Sequence, residues 1–200
     1  MQNARTRDEG FTLVELVVYS VLLILMMGIA ATLFIQMLTV QREVGAMADA
    51  SNSAQLTFAE LERDLRNAGT ATISDTGSLL VMRTRTASSA GEGVDQCVGY
   101  FIDDASASLR RTTNQSDTSA ALSAGNAAAL AATTTSWPVA RADMSAVGAS
   151  RAFGPADQTY GKGGLITIAL EAQTVEGRKP VILDKAITLR PQSDITNGCE

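Results

Sequence analysis

The chain has 200 residues, 46% of them hydrophobic and 18% charged, with 16 Lys+Arg against 21 Asp+Glu for a formal net charge of −5. That is room for one domain of ordinary size, and the composition is too apolar and too weakly charged for a disordered chain. The absence of His removes His-based metal sites, Ser-His-Asp and Cys-His catalysis and most pH switches, and the negative net charge leaves no electrostatic footprint for nucleic acid.

The apolar residues are unevenly spread. A polar leader, Met1 to Gly10, carries Arg5 and Arg7. These place the N-terminus on the cytoplasmic side and send the remainder out, although Asp8 and Glu9 cancel their net charge. No charge then occurs from Leu16 to Gln41, and Leu16 to Ile35 alone supplies twenty residues with no Pro and a single Gly, Gly28. A hydrocarbon core about 30 Å thick needs about 20 apolar residues in a helix, and in lipid the backbone must satisfy itself, so helix is the expected state despite β-branched Val17, Val18, Val21 and Ile24. A secretory signal peptide would need an A-x-A-like cleavage site beyond the apolar run. The best match, Gly28-Ile29-Ala30, lies inside it, and a cut there would discard much of the anchor. At the front of the run, Gly10-Phe11-Thr12-Leu13-Val14-Glu15 places a carboxylate at the start of an otherwise uncharged stretch. A charge costs about 2.5–3.5 kcal/mol at the centre of a membrane helix and less near its interface, and such charges usually mark function.

Gly-Phe-Thr-Leu-Val-Glu ahead of about twenty apolar residues resembles the prepilin signal of type IV pilins and type II secretion pseudopilins. The resemblance implies that a prepilin peptidase cuts on the cytoplasmic side between Gly10 and Phe11 and methylates the new amine of Phe11, so that the apolar helix is kept. It also implies that Glu15 meets the terminal amine of a neighbouring subunit, two charges in an apolar bundle that neutralise one another only in the correct axial register. The chain departs from the family in two places: Asp8-Glu9 stands where many members have basic residues, and the span carries Thr32 but no Pro. The missing Pro fits a minor subunit at least as well as a major one.

After the span, apolar or small residues recur at Val40, Val44, Met47, Ser51, Ala54, Phe58, Leu61, Leu65 and Ala68, in alternating steps of four and three along one helical face. Arg42, Glu43, Asp49, Glu60, Glu62, Arg63, Asp64 and Arg66 are expected on other faces. Asn67-Ala68-Gly69 is read as the stop, with Gly69 as the C-terminal cap. A helix unbroken from Phe11 to Asn67 has 57 residues and runs about 85 Å at 1.5 Å each. The stripe is expected to pack on this chain's own C-terminal sheet rather than on a coiled-coil partner. Leu61 to Gly69 also resembles, more loosely, the helix end of the J-type pseudopilins and PilW-like minor pilins.

The C-terminal half reads as strands. Ser78 to Arg83 and Cys97 to Ile102 come first; a turn at Asp103-Asp104 then leads into Ser106 to Arg111, completing a hairpin. Leu165 to Leu170 and Ala186 to Arg190 follow, for five or so strands in all. Thr112 to Ser136 is almost wholly Ala, Ser, Thr, Asn and Gly; Ser119 to Ala132 has helix-forming composition but carries Gly125 and Asn126 in its middle, and the segment is expected to be a variable, poorly ordered surface insertion. Gly161-Lys162-Gly163-Gly164 fails the spacing of a phosphate loop and is read as a plain loop, and the pair Arg110-Arg111 as a solvated strand or turn. Cys97 and Cys199 are too few and too far apart for a zinc knuckle. They are left between two buried thiols and a disulfide, and the pilin resemblance supports the disulfide.

The expectation is therefore an α+β, type IV pilin-like chain: a long N-terminal helix, transmembrane and then amphipathic, packed on a C-terminal antiparallel β-sheet. Residues 1–10 are the leader, 11–35 the transmembrane assembly helix, 36–69 an extracytoplasmic amphipathic helix, and 70–200 a β-rich head with its insertion at 112–136. The resemblance implies a filament subunit rather than an enzyme, without cofactor or metal. Its expected partners are prepilin peptidase, the membrane, and other pilins or pseudopilins through their N-terminal helices. It is expected to start as a single-pass inner-membrane protein with an extracytoplasmic C-terminal domain. The competing expectation is a signal-anchored extracytoplasmic binding protein that never polymerises.

Overall fold

The computed structural model describes residues 12–87, 93–148, 151–155, 158–160, 163–174, 179–190 and 199. The chain divides into two compact units, Met1–Gly45 and Ala46–Glu200. Helix α1, Leu13–Arg66, runs through the boundary without a break. In the first unit every residue from Leu16 to Arg42 is exposed. The hydroxyls of Ser20, Thr32 and Thr39 donate to the carbonyls of Val17, Ile29 and Ile35 at 2.8, 2.8 and 3.0 Å, so these polar groups are satisfied within the helix. Helix α1 is long and apolar enough to cross a membrane, and none of its apolar window is buried inside the protein.

In the second unit, the last turns of α1 bury Ala54, Thr57, Leu61, Asp64 and Leu65. The expected stripe is therefore covered from Ala54 onward, whereas Met47 stays 44% exposed. The helix stops three residues before the expected cap. Ala68 already begins strand β1, Ala68–Ile73, and Gly69 lies where the β1–β2 register shifts between Ala68 and Thr70. The last turn is instead closed by Asn67 N–H donating to the Arg63 carbonyl at 3.1 Å.

The remaining elements are β2 (Leu79–Ala87), β3 (Gly93–Asp103), β4 (Ser108–Thr112), α2 (Gln115–Ser123), α3 (Ala127–Thr134), β5 (Val139–Ala142), β6 (Met144–Ala146), β7 (Phe153–Gly154), β8 (Gln158–Tyr160), β9 (Leu165–Ala172) and β10 (Val181–Thr188). A six-stranded sheet runs β5-β4-β3-β2-β1-β8, and a four-stranded one runs β10-β9-β6 with β7 also on β9. All the pairings are antiparallel. The fold is thus α+β, a long N-terminal helix whose last turns pack on antiparallel sheet. The expected hairpin forms, but its turn occupies residues 104–107 and β4 starts at Ser108 rather than Ser106, so Asp103 pairs with Ser108; Asp104 accepts from Ala146 N–H at 3.2 Å. Strand β10 begins five residues earlier than its sequence pattern suggests, because Val181 and Leu183 pack at the edge of the core that Ile187 completes.

The period of two along β2 and β3 sends successive side chains to opposite faces. Leu80, Met82, Val98, Tyr100 and Ile102 join Leu61 and Leu65 of α1 in the main core. Leu79, Val81, Cys97 and Phe101 form a second cluster with Ala121, Leu130, Trp137 and Cys199. The six-stranded sheet is therefore covered on both faces, and the second cover is the segment expected to be a loose insertion. Asn114 and Asn126 each accept an N-terminal amide with the side chain, from Ser116 at 3.0 Å and Ala129 at 2.8 Å, and so start α2 and α3. Gly125, at φ +76°, supplies the left-handed break between the two helices. The absence of a side chain at Gly99 lets Trp137 lie on the strand, since a Cβ there would stand 2.6 Å from the indole.

Candidate functional site

Gly10 and Phe11 lie outside the described residues. Glu15 sits in the first turn of α1 and is half-buried, alone among residues 12–42. Its amide N–H donates to the Thr12 hydroxyl oxygen at 3.3 Å, which makes Thr12 the start of the helix by the same side-chain capping that starts α2. Its carboxylate accepts from the Tyr19 hydroxyl, one turn on, at 3.3 Å. The carboxylate thus sits at the head of the charge-free stretch of α1 with a hydrogen bond from Tyr19, while the amide of the same residue is capped by Thr12. Tyr19 was not singled out by sequence reasoning, although the i, i+4 spacing from Glu15 is legible there.

A second polar cluster lies in the head. Asp64 is 7% exposed and faces the sheet, not solvent as expected. Its Oδ2 accepts from the Tyr100 hydroxyl at 2.8 Å and from Arg111 at 3.0 Å, and Oδ1 accepts from Arg63 at 3.2 Å. Arg111 Nε in turn donates to the Tyr100 oxygen at 3.0 Å and lies 3.5 Å from Glu60, with its guanidinium carbon 5.6 Å from the Tyr100 ring centre. The sequence signal was present: Asp64 stands three residues after Leu61 and four before Ala68, on the buried face itself. An apolar-only stripe passes over it.

Burial, and then the neighbouring Asp64 carboxylate, push the Tyr100 phenol well above its ordinary value. Burial alone would lower Arg111, but the Tyr100 oxygen and Asp64 outweigh it and hold the guanidinium charged. The cluster joins α1 to β3 and β4 through the hydrogen bonds that link Asp64, Tyr100 and Arg111. Because the folded pKa of Tyr100 lies above the unfolded value of about 10, its contribution is complete below that pH and declines as pH rises beyond it. The guanidinium midpoint for unfolding should fall between about pH 10 and 12, and Tyr100→Phe should flatten that fall.

Alternation along β4 sends Arg110 to the other face. It donates to the carbonyls of Thr135 and Trp137 at 3.0 and 3.1 Å and lies 3.6 Å from Asp103. Neither member of the expected solvated pair is free. Asp103 ends β3; the Ser106 hydroxyl that donates to it holds its carboxyl below its ordinary value. Cys97 and Cys199 are joined as a disulfide, with Cα atoms 5.8 Å apart across 102 residues. Among the described residues no cluster of three His, Cys, Asp or Glu is placed to hold a metal ion. Comparisons with family models, with characterised proteins and with solved structures find no match for this chain.

Proposed function

We propose that the chain is a minor pilin or pseudopilin: a structural subunit of a type IV pilus-like filament, cut by prepilin peptidase after Gly10 and assembled through its N-terminal helix. The observation that carries this reading is the arrangement of the first 35 residues. A polar leader ends at Gly10, and a carboxylate at Glu15 precedes an uncharged helix that continues into the head. The helix supports the reading by its exposure, since every side chain from Leu16 to Arg42 is presented outward, first to lipid and then to neighbouring helices. The head supports it by its construction, with the end of the same helix serving as one wall of the core.

In this reading the subunit begins as a single-pass membrane precursor with the head outside the cytoplasm. Its chemistry is assembly rather than catalysis. Gly10 gives the peptidase an unhindered scissile bond, Phe11 is the methylated new terminus, and Glu15 sets the stagger between subunits. N-terminal mass spectrometry of the chain purified from its host membrane tests the reading. The expected product begins at methylated Phe11 and retains the apolar helix. An intact Met1 would instead favour a signal-anchored binding protein that never polymerises, and a cut beyond Met26 would exclude both.

A further inference from the structure

We infer that the Tyr19 hydroxyl is the positioning donor for the Glu15 carboxylate, holding it in one orientation until a neighbouring subunit's terminal amine arrives. The inference rests on the filament reading above and adds a residue to it. Thr12, Glu15 and Tyr19 follow one another at steps of three and four and share one helical face. Glu15 is bonded on both sides along that face, through its amide to Thr12 and through its carboxylate to Tyr19, each at 3.3 Å. The adjacent hydroxyl, Ser20, is not available to it, because it donates to the Val17 carbonyl at 2.8 Å.

The chemistry suits a charge that must wait in an apolar setting. A carboxylate has about four acceptor sites. One phenol occupies one of them and leaves the rest for an ammonium group, so the bond orients the acceptor without blocking the pair. Without it, the carboxylate is free to turn toward the headgroups, and each assembly event must bring it back. A tyrosine also suits the membrane interface, its ring apolar and its tip polar. Phenylalanine would preserve the ring and remove only the donor.

The test is a double-mutant cycle in the full-length chain, expressed in its own host. The quantity measured is the ratio of subunit in sedimentable, detergent-resistant filament to subunit in the detergent-soluble membrane pool, at equal total membrane levels. Tyr19→Phe should lower that ratio by about tenfold, and Glu15→Ala by at least as much. The double variant should be no worse than Glu15→Ala alone, because Tyr19 acts only through the carboxylate. If Tyr19→Phe leaves the ratio unchanged while Glu15→Ala lowers it, or if the two losses multiply, the positioning role is wrong and the filament reading stands. If Glu15→Ala itself changes nothing, the filament reading fails and takes this inference with it.

Discussion

Asp64→Ala is expected to lower the unfolding free energy of the head by about 3 kcal/mol, the lower end of the range for breaking one side of a buried ion pair. The substitution removes an acceptor from two groups: the Tyr100 hydroxyl, in a side chain 1% exposed, and the Arg111 guanidinium, in a side chain 24% exposed. Most of the loss comes from those two groups rather than from the missing attraction. Glu60, at 3.5 Å from Arg111, offers a partial substitute and keeps the effect from reaching the top of the range. Asp64→Asn should cost less, since the amide oxygen still accepts from Tyr100. Guanidinium titration followed by fluorescence measures both, because Trp137 is the only tryptophan and is 2% exposed in the head. A loss below about 1 kcal/mol for Asp64→Ala would place the cluster among ordinary surface pairs and refute its role as the tie between α1 and the sheet.

Removing the disulfide, by Cys97→Ser together with Cys199→Ser, should destabilise the head by about 2–5 kcal/mol. A closed loop of about 100 residues is worth about 4.7 kcal/mol in the chain-entropy model, because the cross-link denies the unfolded chain most of its freedom. The native side adds packing, since Cys97 and Cys199 sit buried against Phe101 and Trp137 in the second cluster. The same titration reads the loss. Thiol labelling of the purified protein supplies the control: no reactive cysteine before reduction and two after. Two labelled thiols in the untreated protein would show that the bond does not form in the cell.

The tie and the disulfide use opposite faces of one strand: Tyr100 points to α1 while Cys97 points to α2 and α3. This explains the pattern of what sequence reasoning reached. The apolar run Cys97 to Ile102 marks a strand, and the expected turn at Asp103-Asp104 marks a hairpin. Both are local signals, but the turn itself occupies residues 104–107, so Asp103 stays in β3 and pairs with Ser108. The cover on the Cys97 face comes from a segment of low-complexity composition, whose helices start at Asn114 and Asn126 and break at Gly125. The misplaced cap at Gly69 has a related cause. A glycine after a helix pattern usually ends it in a left-handed turn, whereas here the burial of Ala68 and Gly69 draws the chain straight into a strand.

The sequence by itself determined the charge-free run from Leu16 to Gln41, its helical state, the position of Glu15 at its head, and the α+β division of the chain. These depend on composition and period over contiguous residues, and the physics of a backbone in lipid leaves one solution. Only the tertiary structure decided which partners Asp64 meets, that Arg110 and Arg111 serve opposite faces, and that Cys199 returns to Cys97. Those facts rest on partners 25 to 102 residues apart. A charged side chain in an amphipathic helix carries no local mark of whether a tyrosine and an arginine will meet it. That is settled when the strands fix their register and bring β3 and β4 under the helix, where an unpaired carboxylate would not be tolerated.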